Sequence, residues 1–317
     1  MAKTTSIQWV SRTLADGTQL PGHTFNPWWG CMKVSEECQR CYAQDIATHY
    51  GYPVWGPEPT TGRHLFGEKH WMEPLKWNRQ AAQQGHRRSV FCASMADVYE
   101  EHHAVKQERL KLWELIEATP WLNWLLLTKR PENILKLSPW NEVWPDNVWI
   151  GTSVGLQHRA EARIPWLLEV PAVVRFLSCE PMLGVLDLTA WLEQLQWVIC
   201  GGESGKGARP LDPAWARSLR DQCFAVGVPY YFKQWGGRYH HSGGRQLDGR
   251  TWDEIPPECA SGEETNKLAS PASLAAQRAS TQETTTLQSK DQPRRSPSHC
   301  SRAVQFGWQL NNERETL

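Results

Sequence analysis

No stretch of this chain approaches a membrane span, and no surplus of one charge marks it for nucleic acid or lipid. Its apolar runs fall short of the roughly 18 residues a span requires, and the opening MAKTTSIQWV lacks the apolar core of a secretion signal. A cytoplasmic protein with no membrane partner is therefore expected. Lysine plus arginine and aspartate plus glutamate number 34 each, for a formal net charge of zero, so any nucleic-acid contact has to be local. A P-loop is missing too: in GGESGKGARP, Lys206 stands in the wrong place for G-x-x-x-x-G-K-[ST]. Nine cysteines, an odd count in a cytoplasmic chain, do not make a disulfide framework.

What is present is material for a core. With 317 residues, 40% hydrophobic and 21% charged, the chain can bury one large core or two ordinary ones. Nineteen tryptophans are many for this length, and those inside apolar segments, such as Trp113, Trp124 and Trp197, read as core fillers.

From Ser89 onward short apolar runs alternate with longer amphipathic ones. SVFCASM, NWLLLTK, NVWIGTSV, AVVRFLSCEP, QWVICGGES and VPYYFKQWG read as strands. AVKQERLKLWELIEA, RPENILKL, QHRAEARIPWLLE and DPAWARSLRDQCFAVG, between them, carry helical spacing. Strands that are apolar throughout and separated by helices imply a parallel sheet covered on both faces. With an early strand near TFNPWW the count is about seven, which fits an α/β fold of TIM type, a (β/α) barrel complete or partial. A doubly wound open sheet has the same periodicity and stays open as the alternative.

After Pro256 the pattern stops. The stretch ECASGEETNKLASPASLAAQRASTQETTTLQSKDQPRRSPSHCSR has too few large apolar residues to order itself. The expected division is a barrel over 1–256 and a disordered tail over 257–317, with Cys259 and Cys300 the least consequential cysteines.

Strand ends are where a parallel barrel builds its reactive surface, and polar residues recur there. Ser94 and Asp97 follow one strand, and Thr128, Lys129 and Arg130 the next. Ser153 and Glu180 close two more, Gly201, Gly202, Glu203 and Ser204 follow another, and Lys233, Gln234 and Trp235 end the last. Any one of them has an ordinary explanation: Lys129 can solvate a loop, and Glu180 can sit at a helix N-terminus. Six strands with the same habit point to a polar ligand held by charge-assisted hydrogen bonds. Gly201 and Gly202 let the backbone come close to such a ligand, and Glu203 fits a ligand amine.

Before these strands lies GCMKVSEECQRCYA, with Cys31, Cys38 and Cys41 spaced C-x6-C-x2-C. A tetrahedral zinc asks for four ligands and only three are at hand, His49 being poorly spaced, so zinc needs a remote fourth ligand. Three thiolates with an open fourth corner suit a 4Fe-4S cluster whose last iron binds a small molecule. The position of the three cysteines, at the expected barrel mouth, favours the cluster.

FNPWWGCMKVSEECQRCYA, SMADVYEEH, LLLTKRPENI, NVWIGTSV, RFLSCEPMLG, WVICGGESGKGARP, YYFKQWG and LDGRTWDEIP, in this order, resemble the phage-associated three-cysteine-motif family, itself similar to radical SAM proteins. The resemblance spans about Ile7 to Pro256. It implies a 4Fe-4S cluster on Cys31, Cys38 and Cys41, S-adenosylmethionine (SAM) on its open iron, an electron donor, and a 5′-deoxyadenosyl radical that takes hydrogen from an unidentified substrate. Ser94, Asp97, Ser153, Gly201, Gly202 and Glu203 then stand as cofactor-binding residues, and Lys129, Arg130, Glu180 and Lys233 as groups that position the substrate. Radical SAM enzymes usually show C-x3-C-x2-C with an aromatic residue before the last cysteine, whereas here the first spacing is x6 and Arg40 precedes Cys41. Their Gly-Gly-Glu segment follows the second strand; here it follows the sixth expected strand, which makes Ser94 and Asp97 rival candidates for the same contact. The other reading is a zinc- or cluster-stabilised protein that binds nucleic acid or a nucleotide through HHSGGRQLDGR, His240 to Arg250, without radical chemistry. A barrel that keeps its cysteines and has lost catalysis is a third.

Overall fold

The computed structural model describes residues 4–257 apart from positions 6, 15 and 240–242. The expected tail, with Cys259 and Cys300, lies outside the described residues beyond Pro257. Seven strands form the central sheet: β1 (His23–Thr24), β2 (Arg88–Cys92), β3 (Leu122–Thr128), β4 (Val148–Ser153), β5 (Val174–Cys179), β6 (Trp197–Gly201) and β7 (Tyr230–Gln234). Each runs parallel to the next, and their order across the sheet is their order in the chain. A doubly wound sheet reverses order at a switch point. This one never does, so the fold is an α/β partial barrel. Its edges, β1 and β7, are not paired with each other.

The first strand differs from its expectation. Only His23 and Thr24 join the sheet, because Pro27, which has no N–H to give, directs the chain outward. There Trp28–Trp29 pairs antiparallel with His64–Leu65. The Asn26 side-chain Oδ1 accepts the Met95 N–H at 2.8 Å and fixes this exit against the end of β2.

The longer helices are α1 (Tyr42–His49), α2 (Glu73–Gln84), α3 (Lys106–Glu117), α4 (Gln157–Leu168) and α5 (Pro213–Val226). α5 shows how the sequence sets its own limits: Asp212 accepts the Ala214 N–H at 2.8 Å, Pro213 occupies the first turn, and Gly227 ends the helix in the left-handed region at φ 74°. RPENILKL yields only the short turns Pro131–Asn133 and Ile134–Leu137. No helix among the described residues is long and apolar enough to cross a membrane.

Strand alternation divides the core in two. Residues facing the helices, such as Val90, Leu126, Ile150, Leu177, Val198 and Phe232, pack with Trp113 and Trp124 in the larger cluster. Their inward neighbours Phe91, Leu125, Trp149, Phe176, Trp197 and Tyr231 fill the lower half of the barrel. The turn Gln8–Val10 closes that half: Trp9 meets Phe91 at 4.7 Å and Trp197 at 5.9 Å between ring centroids. The upper half, at the C-terminal ends of the strands, is left for polar side chains.

Candidate functional site

Continuing the inward positions upward past the aromatic floor leads from Leu127 to Lys129, from Gly151 to Ser153, from Phe176 to Ser178 and Glu180, and from Tyr231 to Lys233. These residues line a cavity of about 530 Å³. Cys31, Cys38 and Cys41 line it too, as do Ser94, Asp97, Arg130, Gly202 and Glu203. Gly201 alone of the sequence candidates is not on its wall. It lies beneath Glu180, where a Cβ would sit 3.3 Å from that residue's carboxyl carbon.

The cysteine loop is tied down by buried charge. Gly30 enters it at φ 119°, donates its N–H to Met95 O at 3.0 Å, and leaves no room for a Cβ, which would fall 2.5 Å from Val54 O. Glu100 accepts the Met32 N–H at 2.8 Å and is forked by Arg63 at 2.9 and 2.8 Å, both side chains being fully buried. Arg130 donates to Asp97 and Met32 O at 2.8 and 2.7 Å and lies 3.6 Å from the Cys31 sulfur. On the other side of the loop Glu37 is buried against Arg163 of α4 at 3.1 Å; it also accepts the Gly155 N–H at 2.9 Å and the Ser35 hydroxyl. Removing one partner of such a pair costs about 3–5 kcal/mol, because the other charge is left without a partner.

These surroundings affect the thiols unequally. Burial pushes Cys31 up to about 12, against the pull of the Arg130 guanidinium. Cys38 is also buried, which acts upward, but the Lys129 ammonium and donors at Val34 and Ser35 outweigh it and hold the thiol below its ordinary value. All three cysteines are free thiols. Among the described residues the one trio of Cys, His, Asp or Glu ligand atoms within 4.8 Å of one another is Glu58, His102 and His103. The three cysteine sulfurs are thus spread more widely than that, whereas a single tetrahedral zinc at about 2.3 Å from each sulfur holds them about 3.8 Å apart. In that trio both ring nitrogens of His102 are already engaged within the chain: its Nε2 is bonded to Thr61 O at 2.9 Å and its Nδ1 accepts the Ala104 N–H at 3.2 Å.

Around the mouth the carboxylates are occupied within the chain. Asp97 accepts from Tyr99 N, Thr128 Oγ1, Lys129 N and Arg130 at 3.0, 2.7, 3.0 and 2.8 Å. Glu203 is clasped by Arg209 through its backbone N–H at 2.9 Å and its guanidinium at 3.0 and 2.5 Å. Glu180 accepts from Lys233 at 2.6 and 2.7 Å and from the Gln234 amide at 3.4 Å. Ser94 exchanges hydrogen bonds with Asn26, its Oγ accepting at 3.1 Å, and its carbonyl accepts from Tyr42 at 3.0 Å. Ser153 Oγ accepts from Lys129 Nζ at 3.2 Å. Gly202 is required by a close approach of β6 and β7, since a Cβ there would lie 1.9 Å from Trp235 O.

Five residues that matter to this arrangement were not singled out in the sequence: Glu37, Glu100, Arg163, Arg209 and Ser178. Two had a readable signal. Glu37 is a carboxylate inside a thiol-rich loop, where a further anion needs its own cation, and Arg163 interrupts the apolar face Ala160–Ile164–Leu167 of a helix. The segment His240–Arg250 lies partly outside the described residues. Of its described arginines, Arg245 bonds Asp253 and Tyr231, and Arg250 stacks on Trp252 at 3.4 Å from the ring centroid.

Comparison with known proteins adds the following. No curated protein matches the sequence. Two solved structures of spore photoproduct lyase variants are similar at TM-score 0.37. The one with bound AdoMet and dinucleoside spore photoproduct is 10% identical, covering 68% of this chain and 64% of its own. The one with the dinucleoside spore photoproduct is 9% identical, covering 68% and 63%. The chain thus spans a little under two thirds of the length of each lyase. Residues 5–256 match the family described as protein of unknown function DUF5131. On that match over most of its length, the chain belongs to the DUF5131 family.

Proposed function

We propose that this protein is a radical SAM-like enzyme carrying a 4Fe-4S cluster on Cys31, Cys38 and Cys41, acting on a substrate bound in the barrel mouth. The observation that carries this reading is that three free thiols, too widely spread for one metal ion, line the same cavity as the strand-end charges. The donor set fits a cluster, in which each thiolate binds its own iron and one corner stays open. When bound, the cluster supplies one-electron reduction of S-adenosylmethionine and so the start of radical chemistry.

The chain's own residues prepare the site. Lys129 places positive charge beside Cys38 and favours its thiolate, while Arg130 acts in the same sense on Cys31 against the larger effect of burial. Glu100 and Glu37, each locked to an arginine, hold the two arms of the loop. The aromatic floor closes the lower end to water. Glu180 and Lys233 face the cavity as a pair whose flexible ammonium can be exchanged for a ligand group. Asp97 and Glu203, saturated by arginines, act by orienting Arg130 and the Gly201–Arg209 segment. The phage setting belongs to this proposal as a part of the same resemblance.

Anaerobic reconstitution with iron and sulfide tests the reading. The expected product is a brown protein whose reduced EPR signal changes when S-adenosylmethionine is added, and Cys38→Ala is expected to drop iron content to background. A colourless protein holding one zinc ion, or unchanged iron in Cys38→Ala, refutes it.

A further inference from the structure

The cations of the mouth are not all matched by carboxylates once their partners are assigned. Its four carboxylates, Glu37, Asp97, Glu180 and Glu203, all have a cation of the chain within hydrogen-bonding distance. Lys129 has none: among the described residues its ammonium is bonded only to the Ser153 hydroxyl, at 3.2 Å. Lys33, another lining lysine without a carboxylate, gives its ammonium to Gln39 O at 3.0 Å, so a lysine with only a neutral side-chain hydroxyl for a partner stands at one place on the wall.

That place has a defined shape. Thr128 pairs with Thr152, and Ser153 pairs with Ser178, so Lys129, Ser153 and Ser178 stand side by side at one level on three consecutive strands, all facing inward. Ser153 is 1% and Ser178 3% exposed, and both line the cavity. Ser153 uses a lone pair of its oxygen to accept from Lys129, which leaves its O–H free to donate. The Ser178 hydroxyl lines the cavity and has no hydrogen-bond partner among the described residues, so it is available to a ligand. The row thus offers an ammonium and two hydroxyl donors with no acceptor competing for them, which is the donor set of a receptor for an oxyanion.

We propose that Lys129, Ser153 and Ser178 form an oxyanion subsite and that the substrate is an anion, bearing a carboxylate or a phosphate that this row holds. The inference names the substrate class for the cavity and rests on the proposed function only in taking that cavity as the reaction site. The Glu180–Lys233 pair flanks the row, Glu180 two residues beyond Ser178 and Lys233 on β7, and receives the uncharged polar part of the same molecule.

The test is equilibrium dialysis of radiolabelled inorganic phosphate against the full-length reconstituted protein, with iron and sulfide assayed on the same sample. Saturable binding is expected, weakened about tenfold or more in Ser178→Ala and in Lys129→Met, since a lost hydrogen bond to a charged group is of that size. Lys129→Arg is expected to restore it. Equal affinity in the wild type and both variants, or no saturable binding at millimolar phosphate, overturns the proposal. Adding S-adenosylmethionine separates the two sources of an oxyanion. Phosphate retained alongside it supports a substrate anion, whereas phosphate displaced, with displacement lost in Lys129→Met, gives the row to the cofactor's carboxylate and overturns the assignment. A sample that binds phosphate at this row but takes up no iron refutes the cluster reading and leaves the subsite standing.

Discussion

The two halves of the barrel interior are built from the same strands and obey opposite rules. Below, Trp9, Phe91, Trp149, Phe176, Trp197 and Tyr231 fill the space with rings and leave no room for a ligand. Above, the inward residues further along the same strands and just past their ends include Lys129, Ser153, Ser178, Glu180 and Lys233, and the space stays open. A change of two residues along a strand therefore separates a position that holds the fold from one that faces a ligand. The lower half is stabilised by area removed from water. In the upper half each charge is bonded to a charge or a donor, which fixes geometry more than it adds stability.

Substitutions that pit one half against the other should show this difference. The largest effect is expected from Trp197→Ala: a fully buried ring lost from the floor costs about 3–5 kcal/mol. Urea unfolding should show it, with iron uptake per folded molecule unchanged. Arg163→Met is expected to cost a similar amount, about 3–5 kcal/mol, by stranding Glu37 in the cysteine loop, and unlike the first it should also lower iron uptake. Next comes Gly151→Ala, whose Cβ would meet the Phe176 ring at 2.5 Å. Overpacking of that kind costs about 1–3 kcal/mol and should lower the melting temperature alone. Lys233→Met should cost a similar amount, about 1–3 kcal/mol, since it leaves the largely buried Glu180 without its cation, and unlike Gly151→Ala it should also alter ligand affinity.

Acid gives a further separation. Glu37 and Asp97 are held below their ordinary carboxylate values; burial pushes each upward, and Arg163 and Arg130 respectively, with backbone and side-chain donors, more than compensate. A depressed folded value contributes stability above the unfolded value and loses it as pH falls through the folded one. Stability is thus expected to fall below the ordinary values of 3.8 for aspartate and 4.5 for glutamate. In Arg163→Met burial pushes Glu37 upward with no cation to oppose it, so protonation relieves the stranded carboxylate and less stability should be lost on acidification than in the wild type, which circular dichroism against pH would measure.

Much of the fold was legible in the sequence because buried parallel strands are apolar throughout, and VWIGTS or WVICG can scarcely be anything else. Whether the sheet is wound once or twice was not, since both use the same periodicity; only strand order tells them apart. The cysteines and the strand-end polar residues could be picked out because their chemistry is unusual for their position. Which carboxylates have a free face could not: Glu203 reads as a ligand for an amine until Arg209, six residues later, turns back onto it. Ser178 carries no signal of its own in RFLSCEP, and only the register that sets it beside Ser153 gives it neighbours.

The turn Gln8–Val10 has a consequence for how the chain folds. Every strand pairs with its neighbour in sequence, so the sheet can zip from one end to the other through moderately local contacts. The N-terminal turn instead packs against β2 and β7, and nearby Arg12 donates to Pro256 O at 2.8 Å, across 244 residues. It is the clasp that bears the largest loop-closure entropy in the domain. Rates of acquiring the floor and of acquiring the sheet should therefore come apart, with the floor sealed last.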